Sequence, residues 1–384
     1  MSMDLRARQY GKVFGDWTIR EMIGQGSVGK TAVFKLTRNK LTYEETTVMK
    51  VVNIIEEIGK YAELSGNQKK DYESEMKRVC EKAESEVRLM YSLRGNENIV
   101  NYLDCDWGDW EDENSFGRDL LIRMEYLENL GKQMKTKIYS EKEIIEVGKQ
   151  ICNALIACHK LNIVHRDIKP DNIFINRYGK YMLGDFGISK MLEESQCNMT
   201  IAGTKAYAPM EQLGSNFDHR VDIYSLGLVL YEMANGNRLP YASGVKATNE
   251  EIQKRMFSEK LPMPQNVSLE LAQIIVKACS NKPNDRYLNA EEMHRKLLLL
   301  EKNVDKEQKD PYATEKAISN FSNYRQDYDD KILKMEVTSH IDNEINGETL
   351  WYCKNNKRKK TDMNTFDNLK EKDLWYSKKE FMKE

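Results

Sequence analysis

The sequence predicts an α+β fold, and three stretches carry that reading. WTIREMIG (17–24), TAVFKLTRN (31–39) and YEETTVMKVV (43–52) are short and rich in β-branched and aromatic residues. A glycine turn and a polar turn separate them, the pattern of an antiparallel meander. Further on, IYSLGLVLYEMA (223–234) is apolar but short for a membrane span and contains Glu232, so it reads as a buried core helix. After residue 300 the chain turns polar and loses any sustained apolar period. A partly disordered tail with short helices is expected over 301–384.

The 384 residues suggest about two domains, and 40% hydrophobic residues suffice for a sizeable core. Lys+Arg number 59 and Asp+Glu 61, a formal charge of -2 that argues against nucleic acid or an anionic membrane as the main partner. The basic run KNNKRKK (354–360) stands among acidic residues without interleaved aromatics and reads as a solvated charge run. Seven scattered cysteines, none in C-x-x-C spacing, predict reduced thiols in a cytoplasmic setting. Neither a secretory leader nor a membrane span is expected.

Residues 24–31 read GQGSVGKT and satisfy two incompatible patterns, G-x-x-x-x-G-K-[ST] and G-x-G-x-x-G. The first needs a helix starting at Lys30-Thr31, as does a Rossmann loop, because the helix N-terminus holds the phosphates. TAVFKLTRN is a strand instead. The glycines therefore sit at the first hairpin, where small residues let the backbone approach phosphate charge. Three later motifs follow in order: HRDIKPDN (165–172), DFG (185–187) and APME (208–211).

Together these motifs resemble the eukaryotic-like (Hanks-type) protein serine/threonine kinase family over roughly residues 17–300. IRMEYL, DIKPDNIFI and YAPMEQ look most like its bacterial members. The resemblance implies a two-lobed protein kinase fold, with an N-terminal arm at 1–16, a small antiparallel lobe with one helix at 17–127 and a larger, mainly helical lobe at 128–300. It implies ATP and Mg²⁺, and a protein acceptor with a Ser or Thr hydroxyl. Asp167 is the expected base, with Lys169 beside the transferred phosphate. Asn172 and Asp185 are the expected metal ligands. Lys50 matches the phosphate-contacting lysine and Glu86 its ion-pair partner, with Glu84 the rival by register. The adenine site is expected between Ile23 and Thr31 above and Phe174 below, with the hinge at Glu125–Leu127 and the phosphates under Gly24, Gly26 and Gly29. Thr31, Val28 and Val48 depart from the family pattern and put nucleotide affinity in doubt.

Arg166, before the base, resembles an arginine that pairs with a phosphate on the loop 188–204. Thr200 is the expected autophosphorylation site and Ser195 the second. Glu211 is expected to pair with Arg286, and Asp222 to secure the catalytic loop. Two charged segments, 53–83 and 106–119, read as insertions, the second a packed hairpin. An idle kinase-fold scaffold remains an alternative, as does a kinase of small molecules. Thr204 and APME argue against the latter, because in the family they face a peptide.

Overall fold

In the computed structural model of the chain, the meander is the middle of a six-stranded antiparallel sheet. The structure describes residues 2–26, 31–58, 66–112, 115–186, 206–214, 217–258, 260–307, 351–354 and 357–360. Two compact units are present, Met1–Pro311 and Tyr312–Glu384.

The first unit opens with a short helix, α1 (Met3–Gln9), and strand β1 (Lys12–Val13). Then come β2 (Trp17–Gln25), β3 (Thr31–Asn39) and β4 (Glu44–Ile58). After helix α2 (Gly66–Ser92), strands β5 (Tyr102–Asp112) and β6 (Ser115–Glu125) complete the sheet in the order β1-β2-β3-β4-β6-β5. Strand β4 continues to Ile58 instead of ending near Val52, because β6 offers pairing all the way to Ile58↔Ser115. The acidic segment 106–119 is the hairpin formed by the ends of β5 and β6, paired from Asp106↔Leu121 to Asp112↔Ser115. Backbone groups of three neighbouring strands thus satisfy one another over the whole extension.

Strand alternation divides the sheet into two faces. Met49 and Val51 pair with Phe34 and Ala32 and join one buried cluster with Leu36, Leu121, Trp17, Met3 and Ala7. Val48, Lys50 and Val52 point to the other face, where their partners across β4 and β6 are Met124, Ile122 and Leu120. The site lies on this second face.

The second half is mainly helical. Strand β7 (Glu128–Asn129) leads into α3 (Leu130–Met134) and α4 (Glu141–Lys160). Ser140 and Glu143 close a capping box at the start of α4, each satisfying a backbone N–H that the helix leaves unpaired. Strands β8 (Ile173–Ile175) and β9 (Tyr181–Leu183) pair with β7 in a small sheet of order β7-β8-β9. The expected core helix is α5 (Arg220–Ala234), buried at every residue from Val221 to Ala234. A helix apolar all round has no other stable place. Then come α6 (Asn249–Phe257), α7 (Leu269–Ala278), which packs on it, and α8 (Ala290–Glu307), which packs on α4. In the second unit β10 (Trp351–Lys354) and β11 (Lys357–Lys360) form an antiparallel hairpin. Among the described residues no helix is long and apolar enough to cross a membrane.

Candidate active site

The strand β4 brings Lys50 into the interior, 7% exposed, where its ammonium pairs with the Asp185 carboxylate. Asp185 directly follows β9 and Gly184, whose N–H donates to the Asn172 carbonyl at 3.0 Å. Residue 99 forms a parallel bridge to Leu183, with Val100 N–H donating to its carbonyl at 3.0 Å. The sheet and the helical part are thereby stitched together beside Asp185.

Asp167 lies at the centre of a hydrogen-bonded group. Lys169 Nζ donates to its Oδ2 at 3.0 Å, and Asn172 Nδ2 donates to the same oxygen at 2.9 Å and to its carbonyl at 2.8 Å. Burial would lower the Lys169 ammonium, but the Asp167 and Asp185 carboxylates outweigh it and hold the group above its ordinary value. The lysine therefore carries its charge at neutral pH. Asn172 sits in a 3-10 turn that starts with Pro170, so the turn begins where no N–H is needed.

The loop itself hangs from Asp222. This carboxylate is fully buried in the first turn of α5. It accepts from the backbone N–H of His165 at 2.9 Å and of Arg166 at 2.8 Å, and meets His159 Nε2 at 3.0 Å. Burial alone would raise its pKa; the hydrogen bonds and the two histidines hold it below the ordinary value. Arg166 adopts φ 64 and Asp185 φ 58, left-handed conformations that cost non-glycine residues about 1–3 kcal/mol each and persist only under such pinning. Gln212 adds a bond from Nε2 to the Arg166 carbonyl at 2.7 Å. The Arg166 guanidinium stacks on Phe217, 4.9 Å from the ring centroid.

His165 is buried and turned inward. Its Nδ1 accepts from Asp167 N–H at 3.3 Å, which leaves Nε2 to donate to the Gly184 carbonyl at 3.0 Å. Burial depresses its pKa, in keeping with this neutral tautomer. Phe186 packs against His165 at 4.7 Å between centroids and edge-on to Tyr102 at 6.3 Å. Glu211 forms the expected pair with Arg286, through Oε1 at 2.5 Å and Oε2 at 3.1 Å.

On the roof, Ile23 ends up 40% exposed near the end of β2. Gly24 pairs with Val33 across β2 and β3, and the Gly26 N–H donates to the Thr31 carbonyl at 2.8 Å. Thr31 pairs with Val52, while Val48 and Met124 are buried opposite each other. Phe174 lies in β8, paired with Met182 and with Asn129. Glu125 ends β6 and accepts from Asn101 Nδ2. Leu127 follows it in the connection to β7, so the hinge residues join the sheet to the helical part. Gly29, Ser195, Thr200 and Thr204 lie outside the described residues, and of Glu86 only the backbone, in α2, is described. Its rival Glu84 is engaged elsewhere, accepting from Trp107 Nε1 at 3.4 Å and from Arg88 Nη2 at 3.3 Å. The sequence reading missed His159, Gln212 and the Tyr102 contact with Phe186. Each depends on a partner far along the chain, and only the position of His159 on the buried side of α4 hints at a role.

Residues 17–298 match the protein kinase domain. The chain belongs to the protein kinase family. A probable serine/threonine-protein kinase of Clostridium perfringens is 34% identical over 229 residues, covering 57% of this chain and 31% of that protein. A serine/threonine-protein kinase of Myxococcus xanthus, Pkn1, is 34% identical over 226 residues, covering 54% of this chain and 30% of its own. The mouse serine/threonine-protein kinase Nek4 is 28% identical over 272 residues, covering 69% of this chain and 30% of its own. The alignments thus span about a third of the length of these relatives.

Proposed function

We propose that this chain is a protein serine/threonine kinase that transfers the γ-phosphate of ATP to Ser or Thr hydroxyls of a protein. The observation that carries the reading is the convergence of Asp167, Lys169 and Asn172 in one hydrogen-bonded group with Lys50 and Asp185 nearby. Phosphoryl transfer asks for positioning and charge stabilisation more than covalent chemistry, and this group supplies both. The acceptor oxygen attacks the γ-phosphorus as its proton passes to the Asp167 carboxylate; the bond to the β-phosphate oxygen breaks, and ADP departs. Lys169 sets a positive charge beside the moving phosphoryl group. Lys50 holds the α- and β-phosphates.

The residues present suit Mg²⁺. Asn172 donates twice through its amide nitrogen, leaving its carbonyl oxygen as the ligating atom, and Asp185 adds a carboxylate. Among the described residues no group of three His, Cys, Asp or Glu side chains is arranged to hold a metal. Oxygen donors too few to cage an ion fit Mg²⁺, which takes one or two carboxylates and completes its shell with phosphates and water. When bound, the ion neutralises phosphate charge.

Autophosphorylation on Thr200, with Ser195 second, belongs to the same reading, with Arg166 the residue that receives the phosphate. The test is incorporation of label from γ-labelled ATP with Mg²⁺ into the chain and into a generic basic protein, for wild type and Asp167→Asn. Label on Ser or Thr that vanishes in the variant is the expected result, and phosphopeptide mapping then reports on Thr200. A wild-type chain that binds nucleotide and transfers nothing to either acceptor overturns the proposal in favour of an idle scaffold.

A further inference from the structure

The segment before residue 17 lies outside the span shared with the family, yet it is built into the small lobe. Ser2 caps α1, its hydroxyl accepting from Leu5 N–H at 3.4 Å, and the helix buries Met3, Arg6 and Ala7. The Arg6 guanidinium lies 3.9 Å from the Trp110 ring centroid. One residue past the helix, the Tyr10 hydroxyl donates to Asp119 Oδ2 at 2.6 Å.

Asp119 is fully buried in β6 and also accepts from Asn53 Nδ2 at 2.8 Å and Trp110 Nε1 at 3.3 Å. Burial raises its pKa, and the three donors oppose that rise. A buried carboxylate stripped of one donor is costly, so Tyr10 and its partner hold each other in place.

The attachment points bracket Lys50. Met49 and Val51, its neighbours on β4, share the buried cluster of Met3 and Ala7, and Asn53 shares Asp119 with Tyr10. All three face α1, while Val48, Lys50 and Val52 face the site. Packed interiors transmit displacement because they contain few voids, so lifting α1 moves the strand that carries the lysine.

We propose that residues 2–10 are an intramolecular strap that positions Lys50 for the nucleotide phosphates, so that seating or releasing the strap sets nucleotide affinity. The proposal rests on the kinase reading of the same site.

Gly108 offers a probe from outside the strap. A Cβ there would meet the Tyr10 ring at 2.8 Å and Leu121 Cδ1 at 3.2 Å, so Gly108→Ala displaces the Tyr10 ring while leaving the sequence of residues 2–10 unchanged. The experiment compares the full chain, Gly108→Ala, Tyr10→Phe and a chain lacking residues 2–11. For each, Mg·ATP binding, KM for ATP, kcat and melting temperature are measured. The expected result is a dissociation constant and KM raised about fivefold in Gly108→Ala, in Tyr10→Phe and in the shortened chain, the low end of typical coupling between sites. The kcat stays near wild type. Adding a peptide of residues 1–11 restores binding to the shortened chain. Variants that melt earlier yet bind Mg·ATP like wild type make the segment merely structural and overturn the proposal. If the shortened chain does not fold, the two point variants decide by the same criterion. A wild-type chain that binds no Mg·ATP overturns the kinase reading and the strap together, whereas wild-type binding unchanged in the variants overturns the strap alone.

Discussion

Glu232 is expected to make the fold less stable as pH rises from 4.5 to about 7, and Glu232→Gln should remove that dependence. The side chain sits in α5 at 8% exposure and accepts from the Tyr207 hydroxyl at 2.6 Å. Burial pushes its carboxyl from an ordinary 4.5 up to about 7; the Tyr207 bond opposes this and the charge of Asp171 adds to it. Between those two pH values the unfolded chain has lost its proton and the folded one still holds it. Stability therefore falls as pH rises through this window, by about 1.4 kcal/mol per pH unit, and levels off above the folded value. Over the whole window the loss is about 3 kcal/mol, of which about 2.5 kcal/mol falls between pH 5 and pH 8. Glutamine keeps an acceptor for Tyr207 and carries no charge. Thermal melts of both proteins at pH 5 and pH 8 should show the variant's advantage growing by about 5 °C toward the higher pH. A difference that stays constant across that range would mean that Glu232 ionises freely in the folded protein, and the argument from burial would be wrong.

Glu211→Ala strands the buried Arg286 guanidinium and should lower stability by about 3 kcal/mol in a denaturant titration. A loss below about 1 kcal/mol would show that the backbone carbonyls of Ser280, Asn281 and Arg220 hold that arginine by themselves. Gly26→Ala would put a Cβ 2.1 Å from Thr31 Oγ1, so KM for ATP should rise in the single variant and recover in part in Gly26→Ala/Thr31→Ala. Equal losses in the single and double variants would show that the two residues do not meet.

Much of the small lobe was legible because its information is local. Three β-branched runs broken by glycine and polar turns specify strands, and it was the later motifs HRDIKPDN, DFG and APME, added to the strand after Lys30-Thr31, that decided how GQGSVGKT was read. The apolar circumference of 223–234 likewise announced a buried helix. Lys50, Asp167, Lys169, Asn172 and Asp185 were readable as a set because the motifs that hold them resemble, in order and approximate spacing, those of the protein kinase family. Glu211 and Arg286 were paired by the same route.

What the sequence hid was distance and depth. Asp222 and His159 stand 63 positions apart, and their meeting at 3.0 Å follows from how α4 packs on α5. The continuation of β4 to Ile58 depended on the length of β6, because a strand persists only as far as a neighbour satisfies its backbone. Residues 1–16 read only as an N-terminal arm, since a helix of two turns buries too few side chains to show a clear apolar stripe. Its place on the sheet was decided by Trp110 under Arg6 and by Asp119 beneath Tyr10, groups more than a hundred residues away. The sequence by itself determined which elements form and which chemistry they carry; the tertiary structure decided which buried charges find partners, because burial penalises every charge left alone.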